Sequence, residues 1–397
     1  MNLKKYSIPM ALGLGLACTS LSCAPSAPPV ASDTSGVATT LPTPAVSSHV
    51  TPVQGEPTPG KDLLRDRLEA AIAQVKSRDV LTSHGFWTIF HAILGLGPEL
   101  TLLNETTGQR VNALDYICQG GELRGLRFIP TPQGLDVQMG PQFVGQGHKD
   151  QFIAEMAQWG MPGDRKIIVS GKEHTFMDFV RHAQLNSRTK NPDELSWAII
   201  VVAQYIGLDA TWTNVEGDKL TLQDCLRYEL KEPVNGAACG GTHRLFGLAW
   251  VHHLHLLAGG KTEGVWKDLA DHQRQYINLA KKYQNSDGSF STQFFQGRGN
   301  DTTPSLRINT TGHTFEWLAL TLTDAELREP WVQDAANALS LMILEARGEQ
   351  IEGGLLYHAA HGLIMYHARV YAPEKLGPGG VPLPLPPSHR PSAFSRR

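Results

Sequence analysis

Two stretches decide the fold: Glu194-Leu-Ser-Trp-Ala-Ile-Ile-Val-Val-Ala-Gln-Tyr-Ile206, and Thr221-Leu-Gln-Asp-Cys-Leu-Arg-Tyr-Glu-Leu230. The first is apolar almost all the way round a helix, as expected of a helix buried on every side. The second is amphipathic and reads as half exposed. The same pairing runs along the chain. Apolar helices are expected at Phe86–Leu96, Lys149–Trp159, Glu194–Ile206, Arg244–Leu257, Thr314–Leu322 and Leu355–Val370. Amphipathic ones are expected at Asp62–Lys76, Asn112–Gln119, Thr175–Leu185, Thr221–Leu230, Val265–Tyr283 and Trp331–Ala346. There are six of each, in strict alternation.

Alternation of this kind has a natural packing solution. Buried helices form an inner ring and amphipathic helices an outer one, so six helical hairpins close an all-α (α/α)6 toroid. A superhelical solenoid is the competitor. It needs polar capping repeats at both ends, whereas the last helix here is among the most apolar. The segment from Gly121 to Gly145 breaks the pattern. Leu126-Arg-Phe-Ile and Leu135-Asp-Val-Gln-Met alternate like a small β-hairpin inserted on one face.

Three segments match in register: Gly108-Gln-Arg-Val-Asn-Ala-Leu-Asp115, Gly171-Lys-Glu-His-Thr-Phe-Met-Asp178 and Gly217-Asp-Lys-Leu-Thr-Leu-Gln-Asp224. Each runs from a Gly turn to Asn or Thr, and then to Asp three residues on. That spacing is a capped helix start: the side-chain oxygen accepts a free first-turn N–H, and the acid completes a capping-box-like pair. The three Asp residues are therefore read as structural.

At Gln284-Asn-Ser-Asp-Gly-Ser-Phe290 the chain resembles the QxxDGSW-type motif of the squalene-cyclase and protein-prenyltransferase toroids, with Phe290 in place of Trp. The resemblance covers seven residues closely and the helical count loosely. It implies the toroid, in which the motif ties off an outer helix, and implies no activity. The cyclases' acidic DxDD signature is absent. The prenyltransferases' zinc set is not reproduced, since Asp115 and Cys118 have the wrong spacing. Leu356-Tyr357-His358 looks like the region that carries those enzymes' zinc His.

The ends read differently from the middle. Lys4 and Lys5 precede an apolar stretch from Ile8 to Ala17 that is too short to span a bilayer, so residues 1–23 are expected to be an export signal. Cys18 and Cys23 each resemble a lipoprotein cleavage site; plain secretion is the alternative. Residues 24–60, rich in Pro, Ser and Thr, and residues 373–397, rich in Pro, are expected to be unpacked. Residues 61–372 are the toroid domain. The chain is thus expected to be exported to the periplasm or cell envelope, touching membrane only through an N-terminal lipid. With a net charge of −3 and no Lys/Arg run interleaved with aromatics, it has no nucleic-acid surface. Cys118, Cys225 and Cys239 have no CxxC spacing and read as buried free thiols or, at most, one disulfide.

Five of the six apolar helices begin at or near a His: His84, His148, His243, His313 and His358. The sixth begins at Asp193-Glu194. In a ring these starts share one mouth, and the side chains converge on one cavity. A helix N-terminus favours neutral imidazole, which can act as general base or metal ligand. The candidate catalytic residues are His243, His313, His358 and Glu316. His84, His148, Glu194, Arg244, Trp250, Trp317, Tyr357 and His361 are the candidate ligand-binding set, with Arg244 and Tyr357 offering a cation and a hydroxyl and the Trp residues a wall. A three-His zinc centre from His243, His313 and His358 is conceivable. No HxH or HExxH spacing supports it, so no metal ligand and no cofactor is assigned from sequence. The expected partner is a small-molecule, lipid or glycan ligand. An enzyme acting on an isoprenoid, lipid or glycan is set against a non-catalytic binding or envelope-scaffold protein, with Glu194 and Glu316 as the acid/base pair if sugars are cleaved.

Overall fold

The alternation of wholly buried and half-buried helices expected from sequence is present. A computed structural model describes residues 62–140, 144–190 and 194–376. The proposed export signal, the 24–60 spacer and most of the Pro-rich tail lie outside the described residues. Twelve α-helices occur among the described residues: α1 Leu63–Lys76, α2 Gly85–Leu96, α3 Ala113–Cys118, α4 Gln151–Gln158, α5 Phe176–Leu185, α6 Ser196–Tyr205, α7 Leu222–Lys231, α8 Thr242–Leu257, α9 Val265–Tyr283, α10 Pro304–Thr321, α11 Pro330–Glu345 and α12 Gly353–Tyr371. The protein is mostly α, and among the described residues its strands form only small antiparallel pairs.

Even-numbered helices pack on one another. α2 touches α4 and α12; α4 touches α6, α6 touches α8, α8 touches α10, and α10 touches α12. Odd-numbered helices lie against them: α1 on α12, α3 on α2, α5 on α6, α7 on α6, α9 on α8 and α11 on α10. The sequence explains the difference. In α6 eight of ten residues are buried, whereas α9 buries only Val265, Trp266, Leu269, Gln273, Ile277 and Ala280. The latter set repeats at three and four residues, a single apolar stripe.

Close contact between the even helices depends on glycine. A Cβ on Gly312 of α10 would stand 2.8 Å from the Ala359 Cβ of α12, and one on Gly362 of α12 would stand 2.9 Å from Glu316 Cα. Any side chain at either site forces α10 and α12 apart. These glycines bring Glu316, His358 and His361 within bonding reach.

Three differences from the sequence reading matter. First, the described residues hold four small hairpins, not one. β1 (Thr101–Asn104) pairs with β2 (Gln109–Asn112), β3 (Phe128–Thr131) with β4 (Gly134–Val137), β5 (Lys166–Val169) with β6 (Lys172–Thr175), and β7 (Thr211–Thr213) with β8 (Lys219–Thr221). β3–β4 is the expected insertion. The other three are the repeated Gly-to-Asp segments, whose Gly sits in the hairpin turn and whose second strand feeds a helix. The caps are real: Asn112 accepts from Asp115 N at 2.9 Å, Asp178 accepts from Thr175 N at 2.9 Å, and Thr221 and Asp224 form a reciprocal box. The strands before them escaped notice because each is only three or four residues long.

Second, α10 begins at Pro304, ten residues before the expected Thr314. Pro at the first turn pre-sets φ and lacks an N–H that the helix would leave unpaired. Gly312 is a packing residue inside the helix, not a stop. Third, the tail begins with a 3-10 turn at Pro373–Lys375 against α12, where no packing was expected.

The seven-residue motif acts as a tie. Gln284 Nε2 donates to Gly288 O at 2.9 Å and to Trp331 O at 2.8 Å. Asp287 accepts from Ser289 and pairs with Arg307 of α10. Phe290 is buried with its ring edge on Trp331. The end of α9 is thereby fastened to the starts of α10 and α11.

Candidate functional site

The even helices bring a set of imidazoles together in the interior. His243 comes from the first turn of α8, His313 from the middle of α10, and His358 from the second turn of α12. They are 5, 2 and 3% exposed. Ring centroids lie 5.3 Å apart for His243–His313, 5.3 Å for His243–His358 and 4.3 Å for His313–His358. One nitrogen from each lies within 4.8 Å of the other two.

Hydrogen bonds set the tautomers of two of them. His358 Nδ1 is 2.7 Å from Glu316 Oε2, and His313 Nδ1 is 2.9 Å from the Asn309 carbonyl. A carbonyl only accepts, and Glu316 is ionised, so both Nδ1 atoms donate, and Nε2 of His313 keeps its lone pair. His361 Nδ1 occupies the other oxygen of Glu316 at 2.7 Å. Burial alone would push the Glu316 carboxyl up; its contacts with His358 and His361 outweigh this and hold it at about 2.

The remaining nitrogens lack protein partners. Both ring nitrogens of His243, and Nε2 of His358, are buried without a hydrogen bond. An unsatisfied buried polar atom costs about 1–3 kcal/mol. Burial, reinforced by the neighbouring imidazoles, pushes His313 down to about 3 and His243 well below the ordinary histidine range. His243 and His313 are therefore held as neutral imidazoles. For His313 the helix dipole plays no part, since it sits mid-helix; at that position the expected N-terminal effect gives way to desolvation.

Three further groups, not singled out from sequence, belong here. His91 on α2 donates from Nδ1 to the Trp87 carbonyl at 2.8 Å and receives Gln151 Nε2 at 3.1 Å. Glu155 on α4 receives Gln151 at 2.9 Å through one oxygen, and its other oxygen is buried without partner. Burial raises its carboxyl well above the usual range, with the carboxylate of Glu316 adding to the rise and the Gln151 hydrogen bond opposing it. Atoms of His91, Glu155 and His358 lie within 4.8 Å of one another. The third is Cys239, before α8. The available signal was an acid inside the otherwise apolar α4, and His91 two helical turns beyond His84.

The other expected site residues are dispersed or tied elsewhere. His148 is at the cluster's edge, its ring 4.8 Å from that of His243 and its Nδ1 3.2 Å from Glu194 Oε2. These two side chains are 17 and 21% exposed and form its most open part. His84 is exposed in a 3-10 turn, with its ring nitrogen 3.4 Å from Leu81 N. Arg244 is bound to Glu229 at 2.9 Å and to the Pro233 carbonyl at 2.6 Å, so its cation serves the fold. Trp250 stacks on Phe246, and Trp317 donates to Gln273 at 2.6 Å. Tyr357 is buried core. A cavity of about 500 Å³ lined by Arg124, Arg127, Phe128 and Ile168 contains none of the expected site residues.

Cys118 and Cys225 are buried thiols, and burial pushes Cys225 up to about 12; Cys239 is only half-buried, and none of the three is in a disulfide. Among the described residues no helix is long and apolar enough to cross a membrane. No family model, no curated protein and no solved structure matches this chain.

Proposed function

We propose that this chain is an exported, metal-dependent enzyme on an (α/α)6 toroid, its centre a divalent cation held by His243, His313 and His358. The observation that carries the reading is the convergence of three buried imidazoles, with both ring nitrogens of His243 and Nε2 of His358 left without a hydrogen-bond partner. Acceptor lone pairs that face one another repel, and a cation turns that cost into binding. A single water has two protons for three acceptors.

The surroundings support it. Metal-bound His residues commonly donate their second ring N–H to a carboxylate or a backbone carbonyl. His358 does so to Glu316, and His313 to Asn309. Three imidazoles suit zinc and leave a fourth position open, the arrangement of catalytic rather than structural sites. Such an ion polarises a carbonyl or phosphoryl oxygen, or acidifies a water. Glu155, whose carboxyl burial pushes up and which lies beside His358, is the nearest carboxyl that could pass a proton.

The toroid draws support from the packing order, in which α12 returns to α2 and so closes the series of even helices. The export signal and an N-terminal lipid on Cys18 or Cys23 are part of the same proposal, resting on sequence. Among the substrate classes, the charged edge at His148 and Glu194 favours a glycan over an isoprenoid or lipid. The second reading is a non-catalytic envelope protein with a structural ion, and the depth of the three imidazoles favours it.

Metal analysis of the purified chain, followed by chelation and zinc readdition, separates the readings. An enzyme loses turnover on a glycan and lipid panel with the chelator and regains it with zinc. A structural ion resists chelation until the chain unfolds. A folded chain that takes up no ion contradicts both.

A further inference from the structure

We propose a second, thiolate-bearing metal position beside the first, formed by His148, Cys239 and His243, with His243 shared between the two. This rests on the reading of His243 as a ligand. Two imidazoles and a thiolate select a soft or borderline cation such as zinc.

Nitrogen and sulfur atoms of the three residues lie within 4.8 Å of one another. A filled tetrahedral site with bonds of about 2.0–2.3 Å has ligand-to-ligand edges of about 3.3–3.8 Å, so closure asks for roughly an ångström of movement. The decisive residue is His243. It is 5% exposed and has two buried ring nitrogens, neither hydrogen-bonded. One seat accounts for one nitrogen and leaves the other unsatisfied. Two seats account for both.

The second seat repeats the design of the first. Behind His358 stands Glu316, and behind His148 stands Glu194. Each seat therefore has one imidazole whose second nitrogen is anchored on a carboxylate. Cys239 is positioned by the backbone: it has φ 48° and ψ 43°, and Thr242 Oγ1 donates to its carbonyl at 2.7 Å. These dihedrals fall in the left-handed region, which a non-glycine residue rarely adopts. The thiol is held there, just before the N-terminus of the 16-residue α8, where a thiolate is favoured.

The proton balance is definite. Binding through one lone pair each of His243, His313 and His358 displaces no proton. The second ion forms bonds to sulfur and to the remaining His243 nitrogen. It releases two protons to buffer, one from the Cys239 thiol and one from the His243 N–H. The bridging imidazolate puts one negative charge between the two cations, and the thiolate adds another at the second seat.

The test is cobalt(II) titration of the metal-free full chain, read by absorbance and by proton uptake in buffers of different ionisation enthalpy. Wild type is expected to bind two ions, with a thiolate-to-cobalt charge-transfer band and two protons released. Cys239→Ser is expected to bind one ion, without the band, and to keep its fold by circular dichroism. His313→Ala is expected to bind one ion and keep the band. One ion in wild type, with no band and no effect of Cys239→Ser, overturns the second seat and leaves the three-imidazole centre standing. A band lost in Cys239→Ser, with an ion count unmoved by His313→Ala, supports the thiolate seat and overturns the three-imidazole centre. Absence of any binding overturns both.

Discussion

Two buried polar clusters sit at neighbouring helix starts, and they are built on opposite principles. In one, Glu229 receives Leu195 N at 2.8 Å, Ser196 Oγ at 3.1 Å and Arg244 Nε at 2.9 Å. Arg244 in turn binds the Pro233 carbonyl. Each charge has its partners. In the other, His243, His358 and Glu155 leave buried atoms unpaired. A satisfied buried pair holds the chain together and asks for nothing more. An unsatisfied one is costly in isolation, and the cost is removed when something binds. Burial and charge do not separate the two clusters; hydrogen-bond completeness does.

The comparison is broken most sharply by His243→Leu, which replaces an unpaired polar ring with an apolar side chain. Metal binding is expected to vanish by titration, while urea unfolding of the metal-free chain shifts by less than about 1 kcal/mol or moves toward higher stability. Loss of folding in this variant would make His243 a structural residue. Next in size is Arg244→Met, which strands Glu229. Here unfolding is expected to lose about 3–5 kcal/mol while the metal stoichiometry of the folded fraction stays unchanged.

Glu316→Gln removes the carboxylate that accepts from His358 and His361. Zinc affinity, measured by competition with a chelator, is expected to fall about 10–100-fold. An unchanged affinity would detach Glu316 from the site. Asn112→Ala, at the cap of α3, has the smallest expected effect, about 1 kcal/mol of stability with no change in metal binding.

Acid separates the clusters again. His91, His243 and His313 have folded values depressed below the unfolded value of about 6.5. Their stability contribution is present above that value and is lost as pH falls from about 6.5 toward the folded values, about 3 for His313. Each fully neutral imidazole gives a slope of about 1.4 kcal/mol per pH unit in that window. Glu316 acts in the same direction lower down, between the unfolded value of about 4.3 and its folded value of about 2. Glu155 has the opposite sign, with stability falling as pH rises above about 4.3. Elsewhere burial depresses His182, His252 and His272 as well, while Asp150 and Glu229 are raised like Glu155; the depressed imidazoles outnumber the raised carboxyls, so the metal-free chain is expected to weaken from pH 6.5 to 4.5 in urea titrations. A flat profile would mean that the imidazoles are not buried neutral.

Much of this was legible in the sequence. α9 runs from Val265 to Tyr283 as the apolar stripe and the following Gln284 motif require. His243, His313, His358, Glu316 and His361 were singled out, and they meet. What was missed has identifiable causes. The start of α10 was hidden because Asn309-Thr-Thr-Gly312 looks like a loop until the close approach of Ala359 explains the glycine. Arg244 looked available because its partner Glu229, fifteen residues earlier, lies on another helix. His91 and Glu155 were passed over because one sits on α2 and the other on α4, and only packing puts them side by side. Sequence periodicity reports which face of a helix is buried; it does not report which buried atoms find partners.

The most direct measurement is anomalous diffraction from zinc-loaded crystals of the full chain. The account predicts a peak about 2.0–2.1 Å from one nitrogen each of His243, His313 and His358. A zinc-treated crystal with no peak among these imidazoles, or with their nitrogens bridged by ordered water alone, would contradict it.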